Sequence, residues 1–211
     1  MNTQRRPLIA APRFTPLWGV LIGAVGGGVY WIGAQLWPTS IAVILSMLVT
    51  NLLSARIDPG ATADTDSTAP TADRELLGIV FAVLVKYNAL MALSAASLPF
   101  ALPANLALGW IMIAGHAASR ALLVSVAASP AQPAPASHAD LGIALVLGFA
   151  PAALIGIPGL IGLAGAIAAR FAVIACLRRR RSSFAGRERE MTQQATEVCF
   201  YLGALAAWAY I

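Results

Sequence analysis

The stretch LLGIVFAVLVKYNALMALSAAS, Leu76–Ser97, carries one charged residue, Lys86, in 22 positions. About 20 mostly apolar residues in a helix, rising about 1.5 Å each, cross the roughly 30 Å hydrocarbon core of a bilayer. In lipid a lone segment satisfies its backbone polar groups only as a helix, so this stretch predicts a membrane-crossing helix. Six more segments read the same way: Pro16–Leu36, Pro38–Leu53, Pro103–Ala127, Leu141–Gly156, Gly159–Leu177 and Gln194–Ile211. The second and fifth in chain order, Pro38–Leu53 and Leu141–Gly156, are short, so whether they cross fully is left open. The fold expected is all-α, a polytopic membrane bundle of about seven helices forming one domain over residues 1–211.

Composition supports lipid as the main solvent. Of 211 residues, 59% are hydrophobic and 11% charged, against about 25% charged in soluble domains. The net charge of +5 does not indicate nucleic-acid binding, because the basic residues cluster beside the apolar spans. Arg5, Arg6, Arg13, Arg56, Arg74, the run Arg178–Arg181, Arg187 and Arg189 all fall in the N-terminal tail or in connections on the same side of seven alternating spans. The positive-inside rule makes that side the cytoplasm. It leaves a cytoplasmic tail at 1–15 and cytoplasmic loops at 54–75 and 178–193, and implies a multi-pass protein of the cell (inner) membrane. The apolar segment after the tail is too long for a signal-peptide core and reads as a retained first helix.

Cys176 and Cys199 stand in no metal-ligand spacing and are expected to be buried free thiols. Gly26-Gly27-Gly28 and Gly156, Gly159, Gly162 and Gly165 are expected to let helices approach closely. The loop Ser129–Ser137, SPAQPAPAS, reads as an extended Pro/Ala linker.

Ionisable residues inside spans are expensive and mark candidate sites. Here they are Lys86, Arg120, Arg170 and Glu197. Arg170, about two turns from the Arg178 run, is expected to snorkel toward the headgroups. His116 lies four residues before Arg120 on one helix face. Glu197, placed one turn into the last span, has two readings. It pairs with Arg120 or Lys86 as a structural ion pair, or the cations line a polar cavity and grip phosphate. Asp58, Asp64 and Asp66 follow the second span. They are either a solvated linker or carboxylates that hold Mg²⁺ against phosphate oxygens.

The run Phe14-Thr15-Pro16-Leu17-Trp18-Gly19-Val20-Leu21-Ile22-Gly23 resembles the Phe-x-Pro-Leu-x-Gly-x-x-x-Gly helix start of the cobalamin synthase family (adenosylcobinamide-GDP ribazoletransferase). Leu84-Val85-Lys86-Tyr87, Ser119-Arg120, and Gly186 with Glu197 resemble further segments of that family. In its acidic motif Arg56 stands in place of a histidine, and Asp58, Asp64 and Asp66 match with small insertions and deletions. In its C-terminal motif Arg187 and Glu190 replace an Asp and a Gly. The resemblance implies a membrane transferase of late cobalamin biosynthesis. Adenosylcobinamide-GDP and α-ribazole, or its 5′-phosphate, would be joined with release of GMP. It implies Mg²⁺ on Asp58, Asp64 and Asp66, and catalytic roles for Lys86, Arg120 and Glu197. Expected partners are the two substrates, the lipid membrane, and a second copy of the chain or other membrane proteins of the same pathway. A non-catalytic corrinoid-binding or scaffold relative and a small transporter remain alternatives.

Overall fold

A computed structural model describes residues 12–57, 72–95, 104–126, 137–180 and 186–209. Among them a short 3₁₀ turn, Pro12–Phe14, precedes seven α-helices: α1 Thr15–Leu36, α2 Thr39–Ile57, α3 Ala72–Ser94, α4 Ala104–Val126, α5 His138–Leu154, α6 Ile157–Arg180 and α7 Gly186–Trp208. The protein is an all-α polytopic helix bundle. α1, α2, α3, α4 and α6 contain stretches long and apolar enough to cross a membrane, and α5 is apolar but shorter at 17 residues. Large side chains such as Phe81, Val146 and Leu36 are exposed, as expected where lipid replaces water around the bundle.

The second span is longer than its sequence reading, running on through Ser54-Ala55-Arg56. The last helix starts eight residues before its expected Gln194, because Arg, Glu, Met and Gln in GREREMTQ are strong helix formers that a hydropathy reading passes over. The connection between the last two helices is correspondingly shorter than 178–193. The α5–α6 turn falls at Ile155–Gly156, where Gly156 takes φ +82° and ends α5. Pro158 then sits in the first turn of α6, where its missing N–H does no harm. Cys176 is exposed, not buried as expected, and Cys199 is half-buried. The acidic stretch 58–66 and the Pro/Ala linker up to Ala136 lie outside the described residues.

Helix α4 is the axis: 83% of its span is buried, against 22% for those of α3 and α6. α1 reaches it through glycines one turn apart. A Cβ on Gly19 would strike the His116 carbonyl, one on Gly23 would lie 2.5 Å from Ile113 Cα, and one on Gly27 would lie 2.7 Å from Gly109 Cα. Small residues admit such backbone approach. The order of these pairs shows that α1 and α4 run antiparallel. The family-like run around Gly19 and Gly23 is therefore a helix-packing surface. The expected role of Gly162 and Gly165 also holds, since they meet Phe200 and Cys199 of α7.

Alternation brings the start of α1, the end of α2, the start of α3, the end of α4, the start of α5, the end of α6 and the start of α7 to one face. Arg13 near the start of α1 pairs with Asp140 near the start of α5 at 3.8 Å. Arg56, Arg178–Arg180 and Arg189 fall at this same end of their helices.

Candidate functional site

Three helices deliver ionisable side chains to one buried point. Lys86 lies 14 residues after the start of α3 and Glu197 lies 11 after the start of α7, which at about 1.5 Å per residue is deep within the bundle. The earlier start of α7 corrects the expectation that Glu197 sits one turn in. Lys86 Nζ is 2.6 Å from Glu197 Oε1. The Tyr201 hydroxyl, one turn along α7, donates to the same oxygen at 2.9 Å, and His116 Nε2 of α4 lies 3.3 Å from it. Lys86, His116 and Glu197 are each 1% exposed, so the pair has no water to screen it. Breaking one partner of such a pair leaves an uncompensated buried charge, worth about 3–5 kcal/mol.

Arg120, fully buried one turn beyond His116, points its guanidinium toward α2, where Nη2 donates to Ser54 Oγ at 3.4 Å. Lys86, Arg120 and Glu197 all lie within electrostatic reach of His116. The two expected readings of Glu197 thus divide. Its pairing with Lys86 is formed, while Arg120 engages α2.

The polar surface of α7 is wider than its one charge suggested. Thr192, Gln193 and Thr196 are buried with Glu197 and Tyr201, a stripe at helical spacing. Thr196 Oγ1 donates to the carbonyls of Thr192 and Gln193, both at 2.9 Å. Such local bonds let hydroxyls sit in an apolar interior. Gly115 completes the site by absence, since a Cβ there would lie 2.7 Å from the Tyr201 ring. The i, i+4 pairs His116/Arg120 and Glu197/Tyr201 were readable signals. Ser54, from a different helix, carried none.

One helical turn toward the basic face lies a cavity of about 300 Å³ between α2, α3, α4 and α7. Its lining includes Val83, three residues before Lys86; Leu123, three after Arg120; and Gln193, four before Glu197. Ser54, the acceptor for Arg120, also lines it. Asp58, Asp64 and Asp66 lie outside the described residues. Among the described residues no group of three or more His, Cys, Asp and Glu could hold a metal ion.

Arg170 reaches toward the basic face, as expected: it is half-buried and donates to the Ser125 carbonyl near the end of α4 at 3.1 Å, with its guanidinium 4.9 Å from the Phe171 ring centroid.

Fold and site together define a polytopic helical membrane protein with a buried ionic centre beneath a small cavity at one membrane face. The chain is 32% identical to an adenosylcobinamide-GDP ribazoletransferase of Leptothrix cholodnii, over 93% of its own length and 85% of the relative's. It is 30% identical to a protein of the same name from Ralstonia nicotianae, over 94% of its length and 84% of that relative's. The chain belongs to the adenosylcobinamide-GDP ribazoletransferase family. No protein-family model and no solved structure matches it.

Proposed function

We propose that this protein is a membrane transferase that joins adenosylcobinamide-GDP to α-ribazole, or its 5′-phosphate, and releases GMP. The observation that carries the reading is relatedness to two proteins of that name over more than nine-tenths of the chain. It favours this activity over a binding-only or transporter role. An acceptor hydroxyl oxygen bonds to the phosphorus on the cobinamide side. The bond from that phosphorus to the GMP oxygen breaks, and the hydroxyl proton passes to water at the membrane face.

Catalysis of such transfers is mostly positioning and charge stabilisation. Arg120 supplies a planar, permanently charged guanidinium suited to phosphate oxygens. Lys86 adds positive field from one turn deeper, and Glu197 fixes it there. The basic face is assigned to the cytoplasm, and the membrane to the cell inner membrane, on the positive-inside rule. Asp58, Asp64 and Asp66 would hold Mg²⁺, which when bound would neutralise charge on the diphosphate.

Purified protein in lipid, given adenosylcobinamide-GDP, α-ribazole and Mg²⁺, is expected to release GMP. Folded protein that releases no more than a lipid blank contradicts the activity. Unchanged release after chelation of Mg²⁺ removes the metal alone.

A further inference from the structure

The cavity above the ionic centre is small for the substrates of the proposed reaction. Ligand cavities run from roughly 300 to 1,000 Å³, and this one, at about 300 Å³, stands at the lower limit. A corrinoid macrocycle with its fringe of amide side chains does not fit within it, whereas a single nucleoside does.

The walls are of two kinds. Leu48 and Leu52 of α2, Ile79 and Val83 of α3, and Leu123 of α4 present aliphatic surface from three helices. Polar groups gather elsewhere: Gln193, Gln194 and the half-buried Arg189 on α7, and Asn51 and Ser54 on the α2 side, with the exposed Glu190 further out. A flat apolar ring meets the first wall without losing hydrogen bonds to water. A guanine ring would bring a polar edge with several donors and acceptors, each costly to bury without a fixed partner. Of the polar groups in the cavity only Gln193 is itself buried.

We propose that this cavity holds the acceptor nucleoside of the transfer. Its apolar aromatic base lies between Leu48, Leu52, Ile79 and Val83, and its ribose faces Ser54, Gln193 and Gln194. The sugar then turns a ring hydroxyl, free in both α-ribazole and its 5′-phosphate, toward Ser54 and Arg120, while the bulk of the corrinoid donor stays outside the cavity. The assignment rests on the transferase reading for the identity of the nucleoside, α-ribazole. The size and two-sided lining of the cavity stand without it.

The test fills the cavity and separates the two substrates. In lipid-reconstituted protein, Val83→Trp is expected to raise KM for α-ribazole by about tenfold or more, the scale on which apolar pockets discriminate, with KM for adenosylcobinamide-GDP little changed. Leu52→Trp repeats the test from the half-exposed side of the cavity should the first variant not fold. A rise in KM for adenosylcobinamide-GDP alone gives the cavity to the guanosine end and overturns the assignment. Unchanged KM for both substrates also overturns it and leaves the space to a lipid chain. If the wild-type protein releases no GMP, the transferase reading fails by itself, and equilibrium binding of radiolabelled α-ribazole decides the cavity. Binding that Val83→Trp abolishes upholds the assignment. Absent binding, or binding the variant leaves intact, overturns it.

Discussion

Helix α4 meets α1 backbone to backbone and meets α3 and α7 through charge. On the α1 side, Gly19, Gly23 and Gly27 leave no room for a Cβ, and Ser46 of α2 reaches in beside them, its Oγ 2.7 Å from the Gly26 carbonyl and 3.5 Å from Met112 Sδ. On the other side, Lys86 and Glu197 are held 2.6 Å apart with His116 and Tyr201 on the same carboxylate oxygen. Close packing is an inexpensive way to join helices in lipid. A buried ion pair is not, since desolvation offsets most of its attraction and apolar residues of equal volume often do as well. Under the proposed function the difference becomes a division of labour: the α1–α4 seam supplies rigidity, and the α3–α4–α7 junction would keep its charges for the reaction next to the cavity.

Single substitutions break the two regions to different extents. Lys86→Met strands Glu197 and is expected to lower stability by about 3–5 kcal/mol, read as a fall in the thermal midpoint in detergent. Gly23→Ala forces a methyl against the Ile113 backbone and is expected to cost about 1–3 kcal/mol by overpacking. Gly28→Ala, where nothing lies within 4 Å of an added Cβ, sharpens that result by moving the midpoint the other way, by about 0.5–1 kcal/mol for a helical glycine. Ser46→Ala removes one interhelical bond and is expected to cost about 1 kcal/mol. If Gly23→Ala and Gly28→Ala behave alike, the glycine stripe is not the seam.

The bundle was legible because composition and span length alone demand helices in lipid. Lys86, Arg120 and Glu197 stood out because each interrupts an apolar run. Two features escaped for physical reasons. The polar start of α7 has high helix propensity but low hydropathy, so its first two turns passed for loop and Glu197 for a shallow residue. The Lys86–Glu197 contact depends on which helices are neighbours, and span order alone left Arg120 an equal partner. The glycines of α1 were visible, but their register against Ile113 and Gly109 becomes apparent only once α4 is placed at the centre.

The most direct test of the division of labour is GMP release by the double variant Lys86→Met with Glu197→Gln, in which Gln still accepts from Tyr201. With both charges gone together, the thermal midpoint is expected to stay at or above that of the unaltered protein. GMP release is expected to fall by about a hundredfold, the scale of losing an electrostatic stabiliser at a reacting phosphate. A folded double variant that turns over within twofold of the unaltered protein would contradict the account and reduce the ionic centre to a structural contact.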